Sequence, residues 1–131
     1  MNRKILSTAA LLGMIAIILG AFGAHALKKL LSVEQLVTFE TGVRYQMYHA
    51  LFLLFIGTTT LINQKRKNLI YNLTLLGVIL FSGSIYLLAT DSLTTIEFKI
   101  FGFVTPIGGI LLISAWFILF FDLIKPIKKE K

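Results

Sequence analysis

Residues 5–24 read ILSTAALLGMIAIILGAFGA, twenty positions in a row without a charge. A helix needs about 20 mostly apolar residues to cross the hydrocarbon core of a membrane, because it rises only about 1.5 Å per residue. Arg3 and Lys4 precede the run and Ala24-His25-Ala26 closes it, which imitates a signal peptide with its cleavage site. The apolar region of a signal peptide is only about 7–15 residues long, so we interpret this run as a retained helix.

Three further apolar runs follow, and together the four runs predict an all-α integral membrane protein with four transmembrane helices in one domain, residues 1–131. The predicted spans are about 5–24, 43–62, 69–89 and 106–124. The fourth span has two interpretations. Thr105 and Pro106 suit the N-cap and first position of a helix, whereas the alternative is a longer helix that starts near residue 98 and is kinked at Pro106.

The composition supports a membrane protein and excludes several other classes. The chain is 56% hydrophobic and 15% charged, which is more apolar surface than a soluble domain of 131 residues can bury. It has no cysteine, which excludes disulfides, thiolate catalysis and Cys-ligated zinc. The net charge of +7 does not indicate nucleic acid, because the cations stand at the ends of apolar runs. We expect no nucleic-acid partner, no metal and no cofactor.

The distribution of lysine and arginine predicts the orientation of the chain. Four spans place both termini and the loop at 63–68 on one side of the membrane. That side would carry nine cations and the other side four, so the positive-inside rule places both termini of this cell-membrane protein in the cytoplasm. The nine are Arg3, Lys4, Lys65, Arg66, Lys67, Lys125, Lys128, Lys129 and Lys131, and the four are Lys28, Lys29, Arg44 and Lys99.

The first outer loop contains a helix start signal. Ser32-Val33-Glu34-Gln35 has the form of a capping box, which predicts a helix that begins at Val33. This helix is either a short amphipathic helix at the membrane surface that ends at Gly42, or a direct extension of the second span.

Small residues predict the faces through which the helices pack, because helices in lipid associate where backbones approach closely. On the first span the small residues fall within about 100° of arc. The predicted packing residues are Gly13, Gly20, Gly23, Gly77, Ser84, Gly108 and Gly109.

Polar residues gather at the outer end of the predicted bundle. An ionisable group inside a membrane costs about 2.5–3.5 kcal/mol, so it usually has a partner or a function. We therefore predict a ligand- or partner-binding cluster, the outer cluster, formed by His25, Glu40, Arg44, Tyr45, Gln46, His49, Tyr86, Asp91 and Thr105.

A purely structural interpretation of the same residues stays open. Arg44 has Glu40 as a neighbour one helical turn away, and His49 would then serve as a hydrogen-bonding residue between helices. His25 would be an exposed histidine at the interface. At the other end of the bundle, Asp122 is expected to pair with Lys125 or with the loop cations Lys65, Arg66 and Lys67.

A weak internal repeat links the two halves of the chain. Leu11–Ile15 matches Leu75–Ile79 at an offset of 64, and Ala50–Phe55 resembles Ala115–Phe120 at an offset of 65. Two-helix repeats of this kind occur in transporters, but chance matching between apolar segments is the alternative.

Four ordered motifs resemble a known family. They are GAFGAHAL at 20–27, TGVRYQ with YHAL at 41–51, LFSGSIY at 80–86, and TPIGG with AW at 105–116. Together they resemble domain-of-unknown-function family 423, the small four-span inner-membrane proteins of the YgdD type. The resemblance covers nearly the whole chain and implies four spans, but no established activity, substrate or cofactor. Its motif residues largely coincide with the outer cluster: His25, Arg44, Gln46, His49, Ser82, Tyr86 and Thr105.

Three functions are compatible with these features. The first is a non-enzymatic protein that binds membrane lipids, a second copy of itself or another membrane protein through the outer cluster. The second is a small oligomeric transporter or channel built from the two-helix repeat. The third is an enzyme acting on a lipid head group, with His49 as base and Arg44 holding a phosphate, although a nucleophile is missing.

Overall fold

Four α-helices form most of the chain in the computed structural model, which describes residues 2–95 and 99–126. The helices are α1 (Arg3–His25), α2 (Val33–Thr58), α3 (Gln64–Ala89) and α4 (Val104–Ile124). Short 3-10 segments lie at Leu27–Lys29, Asp91–Leu93 and Lys99–Phe103. The all-α class predicted from the sequence is therefore confirmed.

Each helix packs against the helix that precedes it, and successive helices run in opposite directions. The bundle consequently has two ends. The terminal end holds the start of α1, the turn between α2 and α3, and the end of α4. The distal end holds the connections from α1 to α2 and from α3 to α4. Buried apolar side chains fill the interior along its length, with Leu53, Ile56 and Ile70 completely enclosed.

The outward faces of the helices are strongly apolar. Ile17 on α1, Leu51 on α2, Ile79 on α3 and Ile113 on α4 are all more than half exposed. Among the described residues, three helical stretches are long and apolar enough to cross a membrane, Arg3–Lys29, Gln64–Ala89 and Phe101–Ile124. An apolar exterior of this kind is what contact with lipid requires.

The second helix is long but is not among these three stretches. Its 26 residues correspond to about 39 Å, more than the roughly 30 Å of a hydrocarbon core. The polar side chains Arg44, Gln46 and His49 lie in it and lower its hydropathy.

The capping box at Ser32 is confirmed, and it starts a continuous helix. The Ser32 hydroxyl accepts from the Gln35 backbone N–H at 3.1 Å, and the Gln35 side chain accepts from the Ser32 N–H at 2.9 Å. The α-helix then passes through Gly42 without a break, so the prediction of a separate amphipathic helix is wrong. α2 ends at Thr58, earlier than the predicted limit at 62, where the chain becomes extended at Thr59.

The fourth helix matches neither of the two predicted starts. It begins at Val104, two residues before Pro106, and a 3-10 segment rather than an α-helix occupies Lys99–Phe103. Pro106 is tolerated at the third helical position because the N–H groups of the first turn have no partner within the helix. Residues 96–98 and the cations Lys128, Lys129 and Lys131 lie outside the described residues.

Candidate functional site

The predicted outer cluster divides into buried and exposed residues. Gln46 and His49 are each only 4% exposed. Tyr86, Asp91 and Thr105 are half-buried, and the remaining members are exposed: His25, Glu40, Arg44 and Tyr45. The cluster is therefore not one continuous surface.

Gln46 connects three helices. Its amide nitrogen donates to the backbone carbonyl of Leu12 on α1 at 2.9 Å, and its amide oxygen accepts from the Tyr86 hydroxyl on α3 at 2.7 Å. A buried amide has both donors and an acceptor to satisfy, and these bonds satisfy each kind. Gln46 thus fixes α2 against α1 and α3 at the same level.

Two serine hydroxyls fasten α3 to its neighbours. Ser82 donates to the backbone carbonyl of Gly42 on α2 at 2.7 Å, and Ser84 shares a hydrogen bond of 2.6 Å with the Thr105 hydroxyl on α4. Hydrogen bonds between helices are worth about 0.6 kcal/mol on average in a membrane. Thr105 therefore has a partner inside the bundle rather than serving as the N-cap of α4.

His49 is held in one tautomer by two hydrogen bonds. A carbonyl oxygen only accepts, so the ring Nδ1, which lies 2.6 Å from the Tyr45 carbonyl, must carry the proton and donate. The ring Nε2 then accepts from the indole N–H of Trp116 on α4, at 3.1 Å. Both ring nitrogens are consequently occupied.

A groove of about 320 Å³ opens between α2 and α4, which both pack on α3. We call it the α2–α4 groove. Aromatic rings form much of its walls. The ring centroids of Tyr45 and Phe81 lie 5.0 Å apart, and the ring centroid of Trp116 lies 4.3 Å from that of Phe52. The lining residues are Tyr45, His49, Phe81, Gly109, Leu112, Ile113 and Trp116.

Apart from Tyr45, the exposed members of the outer cluster do not line this groove. Arg44 forms an ion pair with Glu40 at 3.6 Å, with both side chains about half exposed or more. His25 ends α1, and Asp91 lies in the 3-10 segment that follows α3. Of the predicted cluster, only Tyr45 and His49 line the α2–α4 groove.

Sequence reasoning predicted Gly109 only as a packing residue, and it left four groove residues out altogether: Phe81, Leu112, Ile113 and Trp116. One signal pointed to Trp116, because on the α4 wheel it lies on the same side as Thr105 and Gly109. The helical wheel shows which residues share a side of α4, but it does not show which neighbouring helix that side contacts.

The small residues predicted for packing lie where helices contact each other, but the distance to the neighbouring helix differs among them. A Cβ atom on Gly108 would lie 2.8 Å from the Cα of Phe81 and 2.9 Å from the carbonyl oxygen of Gly77, so α3 and α4 touch backbone to backbone there. Gly57 was not among the predicted packing residues, yet an added Cβ there would lie 2.6 Å from the side chain of Leu6. At the other predicted glycines, an added Cβ would lie 2.7–3.7 Å from the nearest side-chain atom of a neighbouring helix: Gly13, Gly20, Gly23, Gly77 and Gly109.

At the terminal end, Asp122 pairs as the sequence predicted. One of its carboxylate oxygens lies 3.5 Å from Arg66 Nε and 3.7 Å from Lys125 Nζ. Among the described residues, no group of three His, Asp or Glu side chains is arranged to hold a metal ion.

Comparison with known proteins places this architecture in a family. The family model "Protein of unknown function (DUF423)" matches residues 19–109. The chain belongs to the DUF423 family. The match spans the last seven residues of α1, all of α2 and α3, and the start of α4, so both Gln46 and His49 lie within the DUF423 region.

Relatives of this DUF423 protein are bacterial membrane proteins. A "UPF0382 membrane protein" of Staphylococcus saprophyticus is 43% identical over 110 residues, covering 84% of this chain and 88% of the relative. One from Haemophilus influenzae is 37% identical over 116 residues, covering 88% and 90%. The "UPF0382 inner membrane protein YgdD" of Escherichia coli is 35% identical over 119 residues, covering 88% and 85%. No solved structure matches the chain.

Proposed function

We propose that this DUF423 protein is a four-span protein of the cell inner membrane that binds the hydrocarbon chain of a membrane lipid in the α2–α4 groove, without catalysing a reaction. The observation that carries the proposal is the groove itself, a recess of about 320 Å³ with aromatic walls on the outside of the bundle, the surface that faces lipid in the arrangement we propose. A recess at this position faces hydrocarbon, so a lipid chain is the ligand that reaches it first.

The packing of the groove supports selective retention of a chain. Covering apolar surface gains little inside a bilayer, since lipid tails are as apolar as the protein, and retention depends on close contact. Phe81, Leu112 and Trp116 present rigid or branched surfaces to a chain, and many dispersion contacts of about 0.1–0.2 kcal/mol each accumulate there. Tyr45 adds a hydroxyl at the wall, at the level where a head group or ester could meet it.

The state of His49 favours binding over catalysis. A general base needs a free lone pair within reach of its substrate, whereas Nε2 of His49 accepts from Trp116 and Nδ1 donates to Tyr45. Arg44, the residue considered for holding a phosphate, is paired with Glu40 and does not line the groove.

The orientation that we propose has both termini in the cytoplasm. It rests on the cations at the terminal end, which include Arg3, Lys4, Lys65 and Arg66, and on the antiparallel order of the four helices. Alkaline phosphatase fused after Leu93 is expected to be active, and the same enzyme fused at the C-terminus to be inactive. The reverse pattern would overturn the orientation, and activity of both fusions would overturn the four-span arrangement.

Filling the groove tests the binding function. We would release the protein gently from its own membrane and record a native mass spectrum of the wild type and of Ile113→Trp. The matched control is Ile17→Trp, because Ile17 on α1 is 65% exposed and Ile113 is 69% exposed, but only Ile113 lines the groove. A discrete lipid mass lost in Ile113→Trp and kept in Ile17→Trp supports the proposal. A bare protein in all three, or a defined homo-oligomer without lipid, contradicts it.

A further inference from the structure

A buried acid at the terminal end joins two cations that come from different parts of the chain. Asp122, near the end of α4, has a side chain only 10% exposed. Arg66 approaches it from the first turn of α3, and Lys125 from the residue just after α4. The two cations contact the same carboxylate oxygen, and they keep 39% and 59% of their side chains exposed.

This arrangement holds two positive charges side by side at the surface. Two neighbouring cations repel each other, and the carboxylate between them offsets that repulsion. Because one acid balances two cations, a positive charge remains, and it points outward since Arg66 and Lys125 are the exposed partners. An anion that contacts both cations would complete the charge balance.

Beside these cations lies a recess of about 410 Å³ that is charged on one side and apolar on the other. Its polar side is formed by Arg66, Lys125, the Asp122 carboxylate that they share and Asn63, and its apolar side by Leu61, Ile62 and Pro126. Leu61 is 60% exposed, which is costly in water but favourable next to lipid. The recess lies where α4 ends and α3 begins, which is the level of the lipid phosphates when these helices cross a bilayer.

We infer that this recess binds the head group of an anionic phospholipid, whose phosphate contacts Arg66 and Lys125 while the adjoining hydrocarbon lies along Leu61. A free phosphate would use the cations but not the apolar wall, and an apolar ligand would leave the cations without an anion. Basic residues at a membrane surface attract anionic lipids by about 1 kcal/mol each, and arginine matches phosphate geometry especially well. The inference does not depend on the α2–α4 groove, which lies on a different part of the bundle.

Lipid titration of the purified protein tests this site. We would add dioleoyl phosphatidylglycerol or dioleoyl phosphatidylcholine to the full chain in detergent and count bound lipids by native mass spectrometry. The wild type is expected to prefer phosphatidylglycerol. Lys125→Gln should weaken that binding about fivefold, and Arg66→Gln with Lys125→Gln about 25-fold. The single variant is informative even if the double variant folds poorly, because Asp122 keeps its Arg66 partner.

The matched control removes the same charge at the distal end. Lys28→Gln with Lys29→Gln takes away two exposed cations, and binding should change less than about twofold if the terminal recess is the site. Equal loss in this control, or unchanged binding in Lys125→Gln and in the double variant, would overturn the inference. So would displacement of phosphatidylglycerol by excess inorganic phosphate, because the recess would then be a site for the free ion.

Discussion

The indole of Trp116 donates to Nε2 of His49 at 3.1 Å, which links α4 to α2 across a helix that separates them in sequence. The ring of His49 cannot turn to meet this donor in another way, because its Nδ1 is bound to the carbonyl of Tyr45. The wall of the α2–α4 groove is thus set before any ligand enters it, which reduces the ordering cost of binding.

Removing the indole N–H of Trp116 should abolish its hydrogen bond to His49 while an aromatic ring still fills most of the same space. Trp116→Phe leaves an aromatic ring against Phe52 but leaves Nε2 of His49 without a donor. We expect a loss of about 1 kcal/mol in the free energy of unfolding, measured by titration with sodium dodecyl sulfate in mixed micelles. Ser114→Ala is the control, because the Ser114 hydroxyl donates to the carbonyl of Ile110 within α4. Equal effects of the two substitutions would contradict a specific role for the indole.

The contact at Gly108 predicts strong sensitivity to a single methyl group. Gly108→Ala would place a Cβ against the backbone of Phe81 and Gly77, neither of which can turn aside. We expect about 1–3 kcal/mol of destabilisation as α3 and α4 separate. Gly83→Ala, in the same bundle, meets nothing within 4 Å and should be neutral or slightly stabilising. A thermal-unfolding series in one detergent measures both, and a stable Gly108→Ala protein would refute the close crossing.

The bonds of Gln46 predict an energetic coupling between α2 and α3. Tyr86→Phe removes the hydroxyl that donates to the Gln46 amide, and Gln46→Leu removes the acceptor. In a double-mutant cycle we expect a coupling of about 0.6–1.7 kcal/mol in the free energy of unfolding. Additive effects of the two substitutions would mean that the hydroxyl and the amide act independently.

For the exposed ion pair of Arg44 and Glu40, in contrast to the buried bonds of Gln46, we predict almost no effect on stability. An exposed ion pair contributes little, so Arg44→Ala should change the free energy of unfolding by less than about 0.5 kcal/mol. It should also leave the lipid mass found on the wild-type protein in place, since Arg44 does not line the groove. Loss of that mass in the native spectrum would instead show that the whole outer cluster acts as one site.

Local features were predictable from the sequence because their causes lie within a few residues. Ser32 and Gln35 satisfy each other's backbone groups within one turn, so the start of α2 at Val33 follows from four letters. Asp122 had cations within reach both along its own helix and in the facing turn, and it contacts one of each kind. The apolar runs likewise sufficed for the all-α class.

Contacts between helices were harder to predict, because a helical wheel gives the direction in which a side chain leaves its helix but does not identify the residue that it contacts on another helix. Gln46 and Arg44 are two positions apart and both were assigned to the outer cluster. One turns inward to Leu12 and Tyr86, and the other turns outward to Glu40. The register between α2 and α4 decides that Trp116 meets His49, and that register follows from how each helix packs on α3. The start of α4 was also missed, since Thr105 bonds to Ser84 across the bundle instead of capping its own helix.

The packing of each helix on its predecessor also implies an order of assembly. A chain made from its N-terminus can join α2 to α1 as soon as both are in the membrane, and α3 to α2 next, since such contacts between sequence neighbours form quickly. The α2–α4 groove has no counterpart in these early stages, because its two walls are separated by the whole of α3. A nascent chain that stops before α4 therefore has the helical core without the α2–α4 groove, and the lipid binding that we propose becomes available only after α4 has joined the bundle.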